Sequence, residues 1–231
     1  GILVNKQCRC IDIAQAHGIP LIYNDRKGFL GGNAAMATGQ RLADYDQLNL
    51  KSIRALEQEK GFQTDLICLA GYWAILRKPL LDAFAGRIIN SHPADLTALD
   101  NAGKRKYANV YGWHAAMAAI GNGEQHTKTC IILATREVDE GPILVTSQPL
   151  AFAKKLDSLK RLPDGPAKQQ ALQEFAGQHQ ELQKKACDFP AYLKALELIA
   201  AGRLALGTGT QGKNKTMYLD GKPLPYGGYQ L

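Results

Sequence analysis

Apolar residues along this chain fall in short blocks separated by polar stretches with helical spacing, a rhythm that predicts alternating strands and helices. Residues 1–5 (Gly-Ile-Leu-Val-Asn) read as a short buried strand, residues 10–17 as a helix stopped by Gly18, and residues 19–23 as a second strand, making a β-α-β unit. Residues 24–38 carry Gly28, Gly31 and Gly32 without a Gly-x-Gly-x-x-Gly spacing and read as a flexible connection. Helix formers fill residues 44–60, with Leu50, Ile53 and Leu56 spaced to face a core and Gly61 as the stop. Residues 65–70 (Asp-Leu-Ile-Cys-Leu-Ala) form a continuous apolar strand of the kind buried on both faces of a parallel sheet. A loop at 71–76, a short helix at 79–86 and a strand at 88–90 follow.

A long polar insertion then occupies residues 94–110, with turn chemistry at Asp100-Asn101-Ala102-Gly103. An alanine-rich helix is expected at 114–120, and strands at 128–135 and 143–148 bracket a loop that carries Glu137, Asp139 and Glu140 before Gly141-Pro142. After Pro149 the pattern is mostly helical, broken at Asp164-Gly165-Pro166. One polar helix runs to about Ala186 and another spans 188–201, with Asp188 as its N-cap and Phe189, Leu193, Leu196 and Ala200 on one face. Asp220-Gly221 marks a tight hairpin over 218–224. The order predicts a doubly wound α/β fold: a Rossmann-like, mostly parallel sheet with helices on both faces. Residues 1–150 would form the catalytic core, and residues 151–231 a helical extension and terminal hairpin packed on the same domain.

At 231 residues, this is the size of one well-buried domain. No apolar run is long enough to cross a bilayer and no secretory leader is evident, so the cytoplasm is the expected compartment, without a membrane partner. Five scattered cysteines fit that setting; Cys68 and Cys130 stand in apolar strand-like segments where a thiol packs as a small hydrophobe. Cys8-x-Cys10 has no second Cys or His pair nearby, so no metal site is expected. The net charge of +7 favours anionic ligands without choosing among them. Small clusters such as Lys104-Arg105-Lys106 are explained as solvated faces.

The chemistry concentrates where the strand at 88–90 runs into Ser91-His92-Pro93. Side chains alternate along a strand, so Asn90 and His92 would point the same way at its carboxyl end, where open α/β sheets place their ligands. The pair offers an amide donor beside a group that titrates near neutrality. Asn-x-His-Pro by itself fits a plain strand-to-loop exit equally well, and Asp139 by itself fits a turn-stabilising acid.

Taken in order, Asp65-Leu66-Ile67-Cys68-Leu69-Ala70-Gly71-Tyr72, Ile89-Asn90-Ser91-His92-Pro93, Gly112-Trp113-His114-Ala115 and Val138-Asp139-Glu140-Gly141-Pro142 resemble the folate-dependent formyltransferase family. The ending, Leu219-Asp220-Gly221-Lys222-Pro223-Leu224-Pro225 and Gly227-Gly228-Tyr229, resembles the branch whose acceptor is glycinamide ribonucleotide. The resemblance implies a formyltransferase fold and transfer of a formyl group from 10-formyltetrahydrofolate, as cosubstrate, to an amine. It implies that Asn90 donates to the tetrahedral oxyanion, that His92 stabilises it and passes a proton, and that Asp139 sits against His92. Folate would lie against Tyr72, Trp73, Ala74, Ile75 and Leu76, against Gly112 and His114, and against Val138, Glu140 and Gly141. The partners implied are a folate and a phosphorylated amine. Other acceptors for the same triad are a nucleotide sugar, methionyl-tRNA or water; a non-catalytic folate binder is the remaining alternative. Nucleic acid is disfavoured because the tail is helical rather than a β-barrel.

Several positions depart from the family's pattern. Ala74 stands where the family commonly has arginine. A substrate-contacting glutamate, counted back from Pro190, falls on Lys185, which leaves Asp188 as the nearest acid. The family's opening strand and its Gly-x-Gly-Ser-Asn phosphate loop have no counterpart, since residues 1–6 match its second strand; an upstream piece, or another segment in that slot, is expected. His92-Pro93-Ala94-Asp95-Leu96-Thr97 and the insertion replace the usual His-Pro-Ser-Leu-Leu-Pro, a change expected to reshape the acceptor pocket.

Overall fold

In the computed structural model, which describes residues 1–32, 37–211 and 214–231, the first apolar block becomes β1 (Ile2–Val4), followed by α1 (Cys10–Ala16) and β2 (Leu21–Tyr23). β1 and β2 pair in parallel with Ile2 opposite Leu21, and Gly18, at φ 61°, turns the chain out of the helix. These elements belong to the first of two units, Gly1–Ile67 with Ala74–Arg87; the second is Cys68–Trp73 with Ile88–Leu231.

The connection expected at 24–38 is partly ordered into helix. The Asp25 carboxylate accepts the Lys27 N–H and starts α2 (Arg26–Phe29); residues 33–36 of that connection lie outside the described residues. α3 (Gly39–Lys60) begins at Gly39 rather than Asp44, because the Thr38 hydroxyl accepts the Arg41 N–H at 3.2 Å. Gly61, at φ 69°, ends it as expected.

The buried face of α3 corrects the expected stripe. Leu50, Ile53 and Leu56 are only half-buried, whereas Tyr45, Asp46, Asn49 and Glu57 are buried. Each has a partner within the unit. Tyr45 Oη donates to the Asn24 carbonyl at 2.6 Å, and Asn24 Nδ2 donates to Asn49 Oδ1 at 2.9 Å. Asp46 accepts the N–H of Arg77, the residue before α4 (Lys78–Ala83), and Glu57 accepts the Thr64 N–H at 2.8 Å. Burial pushes the Asp46 carboxyl up to about 6 against the pull of the Arg77 N–H.

In the second unit a five-stranded sheet has the order β12-β7-β6-β4-β3. β3 is Ile67–Leu69 and β4 Ile88–His92; α5 (Trp113–Gly121) and β5 (His126–Thr127) precede β6 (Cys130–Leu133), β7 (Ile143–Thr146) and β8 (Leu150–Ala151). β6 runs antiparallel to both β4 and β7, the second pairing closed by the loop that carries Asp139. Every residue of β6 and β7 is buried. β3 was expected to be covered on both faces, yet Cys68 is exposed and Ile67 and Leu69 are half-buried; the strand lies at the end of the sheet order.

Beyond β8 come α6 (Lys155–Lys160), α7 (Pro166–Gln183), a π-helical turn at Lys184–Asp188 and α8 (Phe189–Ala200). Two predicted details of this stretch are corrected. Asp188 is not an N-cap: its backbone is helical and its carboxylate accepts the Thr129 hydroxyl instead. The face of α8 that packs is Ala191, Ala195 and Leu198, while Phe189 and Leu193 are exposed. Alanines let the helix approach β6 and β7 closely, and Tyr192 Oη reaches the carbonyls of Leu69 and Ile89.

The expected hairpin is there, with Asp220 and Gly221 at φ 50° and 78°. It belongs to a three-stranded sheet of β9 (Leu204–Gln211), β10 (Asn214–Leu219) and β11 (Lys222–Pro223). β12 (Tyr229–Gln230), which no pattern foretold, then adds to the main sheet in parallel with β7.

A buried polar chain ties α7 to the sheet. Thr127 Oγ1 donates to Gln183 Oε1 and accepts from His179 Nε2, both at 2.8 Å, while Gln183 Nε2 reaches the Pro93 and Lys128 carbonyls at 3.1 and 3.0 Å. Desolvation lowers His179 to about 4, so the ring is neutral in the fold. An unfolded histidine takes up its proton near pH 6.5, so this contribution to stability is complete above that value. It is lost as pH falls towards 4, by up to ~3 kcal/mol. Denaturant titrations at pH 7 and pH 5 should therefore show a larger loss in the parent than in His179→Gln, whose amide can still donate to Thr127.

Candidate active site

β4 continues through His92 instead of stopping at Asn90, and its register sets the site. Asn90 lies opposite Ile132 and His92 opposite Cys130, so both side chains share the sheet face that carries the buried cluster Leu96, Cys130, Ile132 and Ile143. Asn90 is half-buried, and its amide makes no hydrogen bond to another described residue. His92 is 2% exposed.

The imidazole is held from both ends. Nε2 lies 2.7 Å from the Tyr107 carbonyl and Nδ1 3.4 Å from Asp139 Oδ2. Both neighbours are acceptors, and a neutral ring has a single N–H, so only the imidazolium can donate to both at once. Asp139 sits in the loop between β6 and β7 at φ 57°, a left-handed conformation that asparagine and aspartate tolerate better than most residues. Its Oδ2 also accepts the Asn109 N–H at 2.9 Å. Burial alone would raise this carboxyl, but the His92 bond and charge, the Asn109 N–H and the Arg105 field outweigh it and hold the group below the usual range.

The remaining predicted residues fall into separate groups. Val138 and Glu140 flank Asp139 and are half-buried. Gly141 is obligatory, because a Cβ there would lie 1.8 Å from the Leu133 carbonyl oxygen. In the second unit, Tyr72 is half-buried and Trp73 is 73% exposed, with its ring 5.9 Å from Tyr111; Tyr111 is 5.2 Å from His114, which stacks on Trp113 at 3.8 Å. Gly112, at φ 54°, starts α5 beneath Trp73. Ala74, Ile75 and Leu76 belong to the first unit, where Ile75 is exposed. Asp188 is pushed up by burial, against the Thr129 hydroxyl and the fields of Lys184 and His92. Among the described residues, no cluster of three or more His, Cys, Asp or Glu side chains is arranged to hold a metal.

Sequence reasoning missed Arg105, Tyr107, Asn109 and Tyr226. The first three lie in the polar insertion at alternate positions of the segment that follows the Asp100 turn. The stretch is an isolated bridge at Arg105 followed by turn, for which the sequence pattern gave no signal. Tyr226 gave none.

Comparison with known proteins bears on these groups. The sequence pattern of the Formyl transferase family matches residues 5–176. The chain is 29% identical over 170 residues to a phosphoribosylglycinamide formyltransferase of Haemophilus influenzae, covering 74% of this chain and 63% of that one. It is 27% identical to the Escherichia coli protein of that name over 52% of each chain. It therefore spans between about half and two-thirds of the length of these relatives. The structure of phosphoribosylglycinamide formyltransferase from Coxiella burnetii superposes with a TM-score of 0.61 at 20% identity, over 99% of this chain and 83% of that one.

Replacing Gly141 by alanine should destabilise the chain by roughly 3 kcal/mol or more, since the added methyl can be accommodated only by moving the β6–β7 backbone. Chemical denaturation of Gly141→Ala beside the parent checks this.

Proposed function

The chain belongs to the Formyl transferase family, and on that premise we propose that it transfers the formyl group of 10-formyltetrahydrofolate to the amine of glycinamide ribonucleotide, a step of purine biosynthesis. The observation that carries the reading is the buried His92–Asp139 pair beside an unpartnered Asn90 amide on the same sheet face. The acceptor amine attacks the formyl carbon, and the Asn90 amide donates to the oxyanion that forms. Tyr107 fixes the ring through Nε2, which leaves the Nδ1 proton as the one that moves. The 3.4 Å contact to Asp139 is at the long end of such pairs, which tighten as substrate binds. The bond from carbon to the folate nitrogen breaks as that nitrogen takes a proton through His92, and Asp139 helps accept the proton lost by the amine. The products are the formylated amine and tetrahydrofolate.

The exposed rings of Trp73 and Tyr111 suit the planar parts of a folate, an aromatic face for stacking beside the backbone of Gly112. Asp188 is the acid we assign to the acceptor amine, because it alone of the π-helical turn's residues is a carboxylate and it is held by Thr129, the neighbour of Cys130, which lies opposite His92.

Water as the acceptor is the second reading. It is favoured by the engagement of Asp188 with Thr129 and by a lysine at position 185, which together leave the amine a less direct carboxylate. One assay separates the two: tetrahydrofolate release is followed with and without glycinamide ribonucleotide. Release that depends on the ribonucleotide, with kcat lowered about 10²–10³-fold by Asn90→Ala, is the expected result. Equal release without it establishes hydrolysis, and no release in either arm overturns the reading.

A further inference from the structure

The insertion at 94–110 ends in three alternate residues that all reach the His92–Asp139 pair. The Tyr107 carbonyl accepts from His92 Nε2 and the Asn109 N–H donates to the Asp139 carboxylate, each through backbone. Arg105 commits its side chain. Nη1 donates to the Asp139 carbonyl at 2.5 Å and Nε to Tyr226 Oη at 2.8 Å, with the guanidinium carbon 5.4 Å from the Tyr226 ring centroid. Arg105 is only 5% exposed, and its Nη2 is buried without a partner among the described residues. Among the described residues, no carboxylate forms an ion pair with it.

A buried guanidinium with an unmet donor and no salt bridge is a costly arrangement, so stability does not account for its place. Its two bonds do have a geometric effect. A non-glycine residue in the left-handed region is held there only when its surroundings over-determine the backbone. The Arg105 bond fixes the carbonyl on one side of Asp139, while Asn109 fixes the carboxylate on the other. Tyr226 holds the guanidinium plane, and its own segment is anchored where Thr146 Oγ1 donates to the Gly227 carbonyl at 2.7 Å and β12 joins β7.

We infer that Arg105, steadied by Tyr226, is a positioning residue for Asp139: the guanidinium bond to the Asp139 carbonyl keeps the carboxylate turned towards His92. The catalytic part of this inference rests on the formyl-transfer reading above. It makes the segment that departs most from the family's pattern, and the chain's final strand, supports of the reacting pair.

The test uses Arg105→Lys, which keeps the charge but cannot serve Tyr226 and Asp139 from one rigid plane, and Tyr226→Phe, which removes a single oxygen. Arg105→Lys should lower kcat about tenfold, equivalent to ~1.4 kcal/mol, with KM within about twofold, and Tyr226→Phe should lower it less. In an Asp139→Asn background the Arg105→Lys change should have almost no further effect on kcat, because the carboxylate that the bond to the backbone carbonyl orients is gone. An equal fall in both backgrounds overturns the inference. A second readout does not need activity: in chains labelled with ¹⁵N-histidine, both variants should move the His92 ring nitrogen signals and leave those of His179 in place. Unmoved His92 signals overturn the positioning role. Moved signals in a chain that transfers no formyl group retain the positioning role and sink the formyl-transfer reading instead.

Discussion

The burial of one imidazole between two acceptors constrains the rest of the second unit. His92 has almost no access to solvent, so its ring cannot turn to find new partners; the Tyr107 carbonyl and the Asp139 carboxylate fix its orientation and the number of protons it can use. The ring and its two acceptors come from three separate segments: the end of β4, the insertion after it and the loop between β6 and β7. Holding them in register takes a stiff frame. The fully buried strands β6 and β7, with β4 paired beside them, supply it, and the exclusion of any side chain at Gly141 lets the loop close tightly against Leu133.

Polar burial has the same character elsewhere. In the first unit, α3 turns a face of Tyr45, Asp46, Asn49 and Glu57 inward, each bonded by a group outside the helix. In the second, Gln183 and His179 join α7 to β5, to the Pro93 carbonyl beside His92 and to Thr129. Such networks fix position more narrowly than apolar contact, because a donor and an acceptor must meet within a few tenths of an ångström. They also make the fold sensitive to the protonation of a few groups, of which His179 and Asp46 are shifted in opposite senses, each towards its neutral form.

What could be read in the sequence was whatever depends on neighbours along the chain. Gly18 and Gly61 stopped their helices, Asp220-Gly221 turned its hairpin, and strand alternation put Asn90 and His92 on one face. What could not be read depends on partners far away. The inward face of α3 is polar because Asn24, Thr64 and Arg77 happen to meet it, and an apolar-spacing argument selects Leu50, Ile53 and Leu56 instead. The packed face of α8 is Ala191, Ala195 and Leu198; alanines carry a weak apolar signal but permit close approach to a sheet, whereas apolar size points to Phe189 and Leu193, which are exposed. Arg105 looked like one member of a basic cluster; its neighbours Lys104 and Lys106 are exposed while it is buried, at the single bridge that the insertion makes with Leu99.

The π-helical turn at Lys184–Asp188 bears on how this chain should be aligned. A turn of this kind holds one residue more than a regular helical turn, so positions before and after it follow different phases of the same spiral. Against a relative whose chain runs through this stretch as regular α-helix, an ungapped alignment from Pro190 back into α7 would pass through that extra residue and assign the earlier positions one step out. The acid of this stretch is therefore better identified in space, by the side chain that meets Thr129, than by counting letters alone.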